Sequence, residues 1–166
     1  VYWYAGDEIG MANPRFERIE EYKDIATINE YKRWAKEGRD VAECLEIQKE
    51  TSRDNSRTPM QWHSGDKAGF TVGDPWLGLN PDYTEVNVAD RESDPDSVLG
   101  YFRDVMAWRK SEPAFVYGAF GLVDPEHERI FAYTRTLDDR KYLVVLNFTA
   151  KRSSFAPGYD LTRARC

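Results

Sequence analysis

The chain has 166 residues, of which 41% are hydrophobic, 14% aromatic and 31% charged, and it carries a net charge of −6. An acidic chain lacks the cationic surface that draws proteins to nucleic acid or anionic membranes, so neither is expected as a partner. No run approaches the roughly 20 apolar residues of a membrane span, and the aromatic load argues against intrinsic disorder.

Val1 to Ala5 reads as a short buried strand closed by Gly6. An acidic turn, Asp7-Glu8-Ile9-Gly10, follows, and Asn13-Pro14 marks a loop. From about Glu20 to Glu37 the spacing predicts a helix, with Tyr22, Ile25, Ile28, Tyr31 and Ala35 as its apolar face. Gly38 suits the left-handed residue that closes such a helix. Asp40 can cap a second helix, running to about Asp54, with Val41, Cys44, Leu45 and Gln48 facing inward.

Residues 55–95 show no helical period. They hold four prolines and four glycines, yet also Met60, Trp62, Phe70, Trp76 and Tyr83, as an ordered and functional loop would. Asp94-Pro95 is expected to open a third helix with Pro at its first position. Val98, Tyr101, Phe102, Val105 and Trp108 form its predicted stripe, Gly100 weakens it by about 1 kcal/mol, and Pro113 stops it. Strands are then predicted over 115–123, 130–136 and 142–148, with Asp138-Asp139 as a turn and a fourth partial strand near 153–155. Three or four strands are too few to close a sandwich, so further chain is expected after them.

Two cysteines, Cys44 and Cys166, are too few and too far apart for a disulfide framework or a zinc site, and they fit a reducing compartment. With no signal peptide, the expected location is the cytoplasm. The chain begins without Met, inside an apolar stretch, so a piece of a longer protein is expected. The two histidines, His63 and His127, lie in polar loops. No metal cluster, Walker loop, dinucleotide fingerprint or Ser-His-Asp elbow is present, and no cofactor is expected. Asn147-Phe148-Thr149 matches a glycosylation sequon but ends an apolar strand, which favours a structural asparagine.

The informative string is Arg57-Thr58-Pro59-Met60-Gln61-Trp62. Pro59 forces Thr58 out of the α region, so the chain leaves the preceding helix extended. Arg57 then stands where a helix end meets a rigid loop. Its planar fork of donors suits a carboxylate or vicinal sugar hydroxyls. Trp62, Phe70 and Trp76 offer flat faces of the kind sugars stack on. Read from the residues alone, a structural salt bridge for Arg57 and core packing for the aromatics are the simpler alternatives.

This string, with Ala68-Gly69-Phe70, Pro75-Trp76 and Asn80-Pro81-Asp82-Tyr83, resembles the α-glucosidase branch of the α-amylase superfamily, glycoside hydrolase family 13. Tyr4-Ala5-Gly6-Asp7-Glu8-Ile9-Gly10-Met11 resembles that family's eighth barrel strand, with Ala5 where Gln is usual. Residues 19–24, 94–99 and 109–110 resemble its barrel helices. Residues 131–135 and 144–148 resemble its C-terminal β-domain. The likeness ends near residue 155.

The resemblance implies an α+β chain. It would comprise the end of a (β/α)8 barrel over 1–112, with the eighth strand and following helices, and part of a C-terminal antiparallel β-domain over 113–166. It implies retaining hydrolysis of terminal α-linked glucose from maltose- or isomaltose-type oligosaccharides by two carboxyl groups. Those carboxylates lie upstream in the family, so no catalytic residue is assigned within the chain, and the chain alone is expected to be inactive. Asp7 and Glu8 are two carboxylates at a strand end, but neighbours there point to opposite faces, and the resemblance makes Glu8 structural. Arg57 matches the arginine that, with an upstream aspartate, closes the blind end of the glucose pocket. A non-catalytic transporter-associated relative, a sucrose isomerase and a trehalose-phosphate hydrolase are the alternatives.

Overall fold

The computed structural model describes residues 2–165. Among them, five α-helices and three strands lie in the order α1 (Ile25–Lys36), α2 (Val41–Thr51), α3 (Val88–Ser93), α4 (Val98–Ser111), α5 (Ala114–Tyr117), β1 (Ala119–Val123), β2 (Ile130–Leu137) and β3 (Arg140–Asn147). The chain forms two compact units that divide between Asp104 and Val105, inside α4.

In the first unit, residues 2–4 take up no strand, and Tyr2, Trp3 and Tyr4 are exposed. The strand expected over Val1–Ala5 is therefore absent from the described residues. A strand exists through its pairing, and among the described residues this unit offers no other strand to pair with it. Asp7–Ile9 instead forms a 3₁₀ turn whose Ile9 is fully buried.

The helix expected from Glu20 starts later. Ile19–Glu21 is a 3₁₀ turn, and Asp24 caps α1 by accepting from the Ala26 N–H at 3.3 Å. Its inward face is Thr27, Tyr31 and Trp34, while Ile25 and Ala35 are exposed. The polar network described below turns the Thr27 side inward, against the simple apolar count. Gly38 is left-handed (φ 68°), its N–H bonds to the Ala35 carbonyl at 3.2 Å, and the Arg39 N–H bonds to the Trp34 carbonyl at 3.0 Å. Both bonds of a glycine C-cap are thus made. The Arg39 guanidinium then lies 3.4 Å from the centre of the Trp34 ring.

Asp40 caps α2, accepting from the Ala42 N–H at 2.8 Å, and Cys44 with partly buried Val41, Leu45 and Gln48 faces inward as expected. Lys49 joins that face with its ammonium held by Glu17 at 2.8 Å and Glu46 at 2.9 Å. The helix ends at Thr51 rather than Asp54, and Arg53–Ser56 continues as a 3₁₀ turn.

The small core of this unit is Phe16, Tyr22 and Leu77, with Ile19 and Leu45 packed on it. Phe16 and Tyr22 meet edge to face at 5.4 Å. Burial pushes the Tyr22 phenol up to about 12. The 55–95 region holds α3, which was not expected; Asn87 caps it by accepting from the Asp90 N–H at 3.0 Å. Six residues are too few to show a helical period.

The third expected helix begins at Val98, not Pro95. Ser97 is the cap, its Oγ accepting from the Gly100 N–H at 3.1 Å. The inward residues are Leu99, Phe102, Met106 and Arg109, whereas Val98, Tyr101, Val105 and Trp108 are exposed. Gly100 is there by necessity, since a Cβ would lie 2.4 Å from the Pro95 carbonyl oxygen.

The second unit is an antiparallel sheet in the order β1-β2-β3. Its core is Val123, Ile130 and Ala132 with Leu143 and Phe155. Residues 115–117, expected to open the first strand, belong to α5, because Pro113 starts a new helical turn there. Arg135 ties α5 to β2, its Nε donating to the Ala114 carbonyl at 3.2 Å. Asp138, left-handed at φ 51°, makes the expected turn between β2 and β3. No strand forms at 153–155; Phe155 packs on the core from an irregular segment. Asn147 is structural here, its Oδ1 accepting from the Thr149 N–H at 3.0 Å and its Nδ2 donating to the Lys151 carbonyl at 2.8 Å.

Candidate active site

The candidate site lies in the first unit and is built on a buried polar network between the start of α1 and the end of α2. Thr27 Oγ1 lies 2.8 Å from both Gln48 Oε1 and Ser52 Oγ. Arg53 Nε lies 3.1 Å from both oxygens of the Asp24 carboxylate. Asp54, fully buried, accepts on Oδ2 from the Lys23 N–H at 2.6 Å and the Asp24 N–H at 2.7 Å. Every member is either hydrogen-bonded or ion-paired, which is what a buried polar cluster requires. The Arg53 guanidinium holds the Asp24 carboxyl below the usual carboxylate range, against the effect of burial.

Arg57 follows directly as the residue capping the 3₁₀ turn, its N–H donating to the Asp54 carbonyl at 3.0 Å. Its Nη1 lies 3.7 Å from Asp54 Oδ1, and its side chain is 44% exposed. Arg57 thus has a carboxylate at its back and an open side. Beyond it Pro59 is buried, and Gln61 is locked in place. The Gln61 Nε2 donates to Asp82 Oδ1 at 2.9 Å, and its backbone carbonyl accepts from the Val88 N–H at 2.9 Å. Asn80 adds a long-range tie, donating to the Ala12 carbonyl at 2.7 Å.

Beside this segment is a cleft of about 250 Å³ whose lining includes Asp7, Asn13, Glu50, Asn55, Ser56 and Thr58. Arg57 stands in sequence between two of its wall residues. Hydroxyls, two amides and carboxylates make a lining suited to a polyhydroxylated ligand. Asp7 is exposed on its 3₁₀ turn, and Glu8 is turned back on the chain, its Oε2 accepting from the Gly6 N–H at 2.8 Å.

Trp62, Phe70 and Trp76 are about half exposed or more, so within this chain they are not core residues. The loop carrying the first two is tightly turned. Lys67, Ala68 and Gly69 are three successive left-handed residues, and the Ala68 carbonyl accepts from the Trp62 N–H at 2.8 Å. His63 and His127 each use Nδ1 to accept backbone N–H groups in their own loops. Among the described residues no group of His, Cys, Asp or Glu could hold a metal ion, and no helix is long and apolar enough to cross a membrane.

Asp54, Gln61 and Asn80 are the contributors that sequence reasoning missed. Asp54 had a signal, since it precedes Arg57 by three residues, a spacing at which side chains meet on a helical turn. Gln61 and Asn80 had none beyond the family string.

The family described as "Alpha amylase, catalytic domain" matches residues 1–118. The chain is 43% identical over 162 residues to the oligo-1,6-glucosidase of Bacillus cereus, covering 97% of this chain and 29% of that protein. Among solved structures, the trehalose-6-phosphate hydrolase of Bacillus licheniformis superposes with a TM-score of 0.82 at 39% identity, covering 89% of this chain and 26% of that one. The isomaltulose synthase of Klebsiella sp. LX3 superposes with a TM-score of 0.83 at 42% identity, covering 87% and 26%. The chain therefore spans less than a third of the length of these relatives. By its matched domain, and by relatives that agree over nearly all of its length, the chain belongs to the α-amylase family, in the α-glucosidase branch of glycoside hydrolase family 13.

Proposed function

We propose that the chain is the C-terminal part of a cytoplasmic α-glucosidase, in which residues 1–112 complete a (β/α)8 barrel and residues 113–166 begin a β-domain. The whole protein would remove terminal α-linked glucose from maltose- or isomaltose-type oligosaccharides with retention. Its catalytic carboxylates would come from outside this chain. Arg57 would bind the terminal glucose at the closed end of the pocket. The observation that carries this reading is the placement of Arg57: backed by a buried carboxylate, half open, and flanked in sequence by residues lining a polar cleft.

Activity of the complete protein on maltose, isomaltose, sucrose and trehalose 6-phosphate, with the products resolved, tests it. Release of glucose from maltose or isomaltose is the expected result. Conversion of sucrose to an isomer without net hydrolysis would mark a sister isomerase, the reading favoured by the likeness to isomaltulose synthase. Selective cleavage of trehalose 6-phosphate would mark the hydrolase seen in the other structural relative. No turnover on any of the four would sink the enzyme reading in favour of a non-catalytic relative.

A further inference from the structure

We infer that Asp54 is the positioning residue of Arg57: it fixes the direction in which the guanidinium presents its free donors to the sugar. This deepens the proposed role of Arg57 and rests on it. Asp54 is fully buried, and its two oxygens have different surroundings. Oδ2 is saturated by the backbone N–H groups of Lys23 and Asp24, which pins the carboxylate plane. Oδ1 is buried and accepts no hydrogen bond among the described residues. The cation facing it is Arg57, with Nη1 at 3.7 Å.

A buried carboxylate oxygen without a donor is costly to maintain, so a cation must offset it. The approach of Nη1 to Oδ1 at 3.7 Å draws one edge of the planar fork toward the carboxylate, while the side chain as a whole stays 44% exposed. Lysine has no such second edge. The rest of the network serves the same end. Ser52 Oγ accepts from the Asp54 N–H at 3.3 Å, and Asp24, whose N–H holds Oδ2, is itself gripped by Arg53. Asp54, on the 3₁₀ turn after α2, is thereby tied back to the residues that precede α1, and Arg57 closes the same turn.

The test is a double-mutant cycle in the complete protein with an aryl α-glucoside, using Asp54→Asn, Arg57→Ala and the pair. The Asp54→Asn change keeps a carbonyl oxygen for the two backbone donors but leaves no charge for the guanidinium. The expected result is a loss of about tenfold or more in kcat/KM for Asp54→Asn in the parent, carried mainly by KM, and of less than about twofold on the Arg57→Ala background. An equal loss on both backgrounds means that Asp54 is merely structural and overturns the inference. Full activity of Asp54→Asn beside a crippled Arg57→Ala overturns it too, while leaving the pocket role of Arg57 standing. Unchanged kcat/KM in Arg57→Ala removes that pocket role and the inference together. Where Asp54→Asn does not fold, a crystal structure of the parent with glucose decides. Arg57 should keep one Nη on Asp54 Oδ1 while its other donors reach the sugar; a guanidinium that leaves Asp54 to reach it overturns the inference.

Discussion

Arg53 grips Asp24 across 29 residues of sequence, with its Nε 3.1 Å from both carboxylate oxygens. That contact closes the junction on which the candidate site stands, because Asp24 also caps α1 and supplies an N–H to Asp54. The site's geometry is therefore set by charges lying behind it.

This arrangement gives a pH signature. The Arg53 hydrogen bond is the main cause of the depressed Asp24 pKa. A carboxyl whose folded pKa lies below its unfolded value contributes stability that is present above the unfolded value, near 3.9. That stability is lost as pH falls through the folded value. Asp24→Asn in the complete protein should cost about 1–2 kcal/mol at pH 7, discounted because Arg53 is mostly exposed. The gap between parent and variant should narrow progressively below about pH 4. Thermal unfolding of both proteins from pH 7 to pH 2 checks this, and a gap unchanged at the acid end contradicts it.

The C-cap of α1 is a second point of leverage. Gly38 is left-handed, and a Cβ there would meet nothing within 4 Å, so only backbone strain opposes a side chain. Gly38→Ala should destabilise by about 1–2 kcal/mol with unchanged kinetics, and Gly38→Asn by less, since asparagine tolerates this conformation. Equal melting temperatures for the glycine and alanine proteins would show that the cap is not held in the folded ensemble.

What the sequence revealed, and what it did not, follows from where each signal resides. The α2 helix was legible because Asp40 and the Val41, Cys44, Leu45 and Gln48 spacing are local. The β2-β3 hairpin was legible because Asp138-Asp139 interrupts two apolar runs. The inward face of α1 was not, because Thr27 is drawn in by Gln48 and Ser52, more than 20 residues away. The strand expected at the start is unformed for a related reason: Tyr2, Trp3 and Tyr4 have strand composition, but a strand needs a neighbour to pair with, and the described residues of this unit offer none. In the site, Arg57 was legible through its string and Asp54 through its spacing of three from Arg57, whereas which oxygen faces the guanidinium depends on the Lys23 and Asp24 N–H groups, 31 and 30 residues away in sequence.

The isolated chain should behave as an incomplete body. Trp3, Trp62, Phe70, Trp76, Tyr101, Trp108, Phe120, Leu122 and Phe148 are all about half exposed or more within it. Apolar surface on this scale favours association and dye binding. The purified chain should bind an apolar dye, melt without a sharp transition, and hydrolyse no aryl α-glucoside above background. A sharp cooperative transition in a monomeric sample would contradict the first part. Turnover that copurifies with the chain would place catalytic carboxylates within it and make Asp7 and Glu8 the first candidates.

Arg57 itself carries the strongest prediction. If the guanidinium donates to glucose hydroxyls in fixed directions, Arg57→Lys keeps the charge but loses the fork, and it should not restore the site. Arg57→Ala should lower kcat/KM of the complete protein by two to three orders of magnitude, roughly 3–4 kcal/mol. The competing reading is that Arg57 only neutralises Asp54 and clamps the turn to the end of α2. That reading predicts a lower melting temperature for both variants with near-normal kinetics in the folded fraction, and partial recovery of stability with lysine, since an ammonium still offsets the buried carboxylate. Measuring kcat/KM and melting temperature on both variants separates the two. A kcat/KM within about threefold of the parent, alongside a drop in stability, would leave Arg57 a structural clamp and remove it from the substrate pocket.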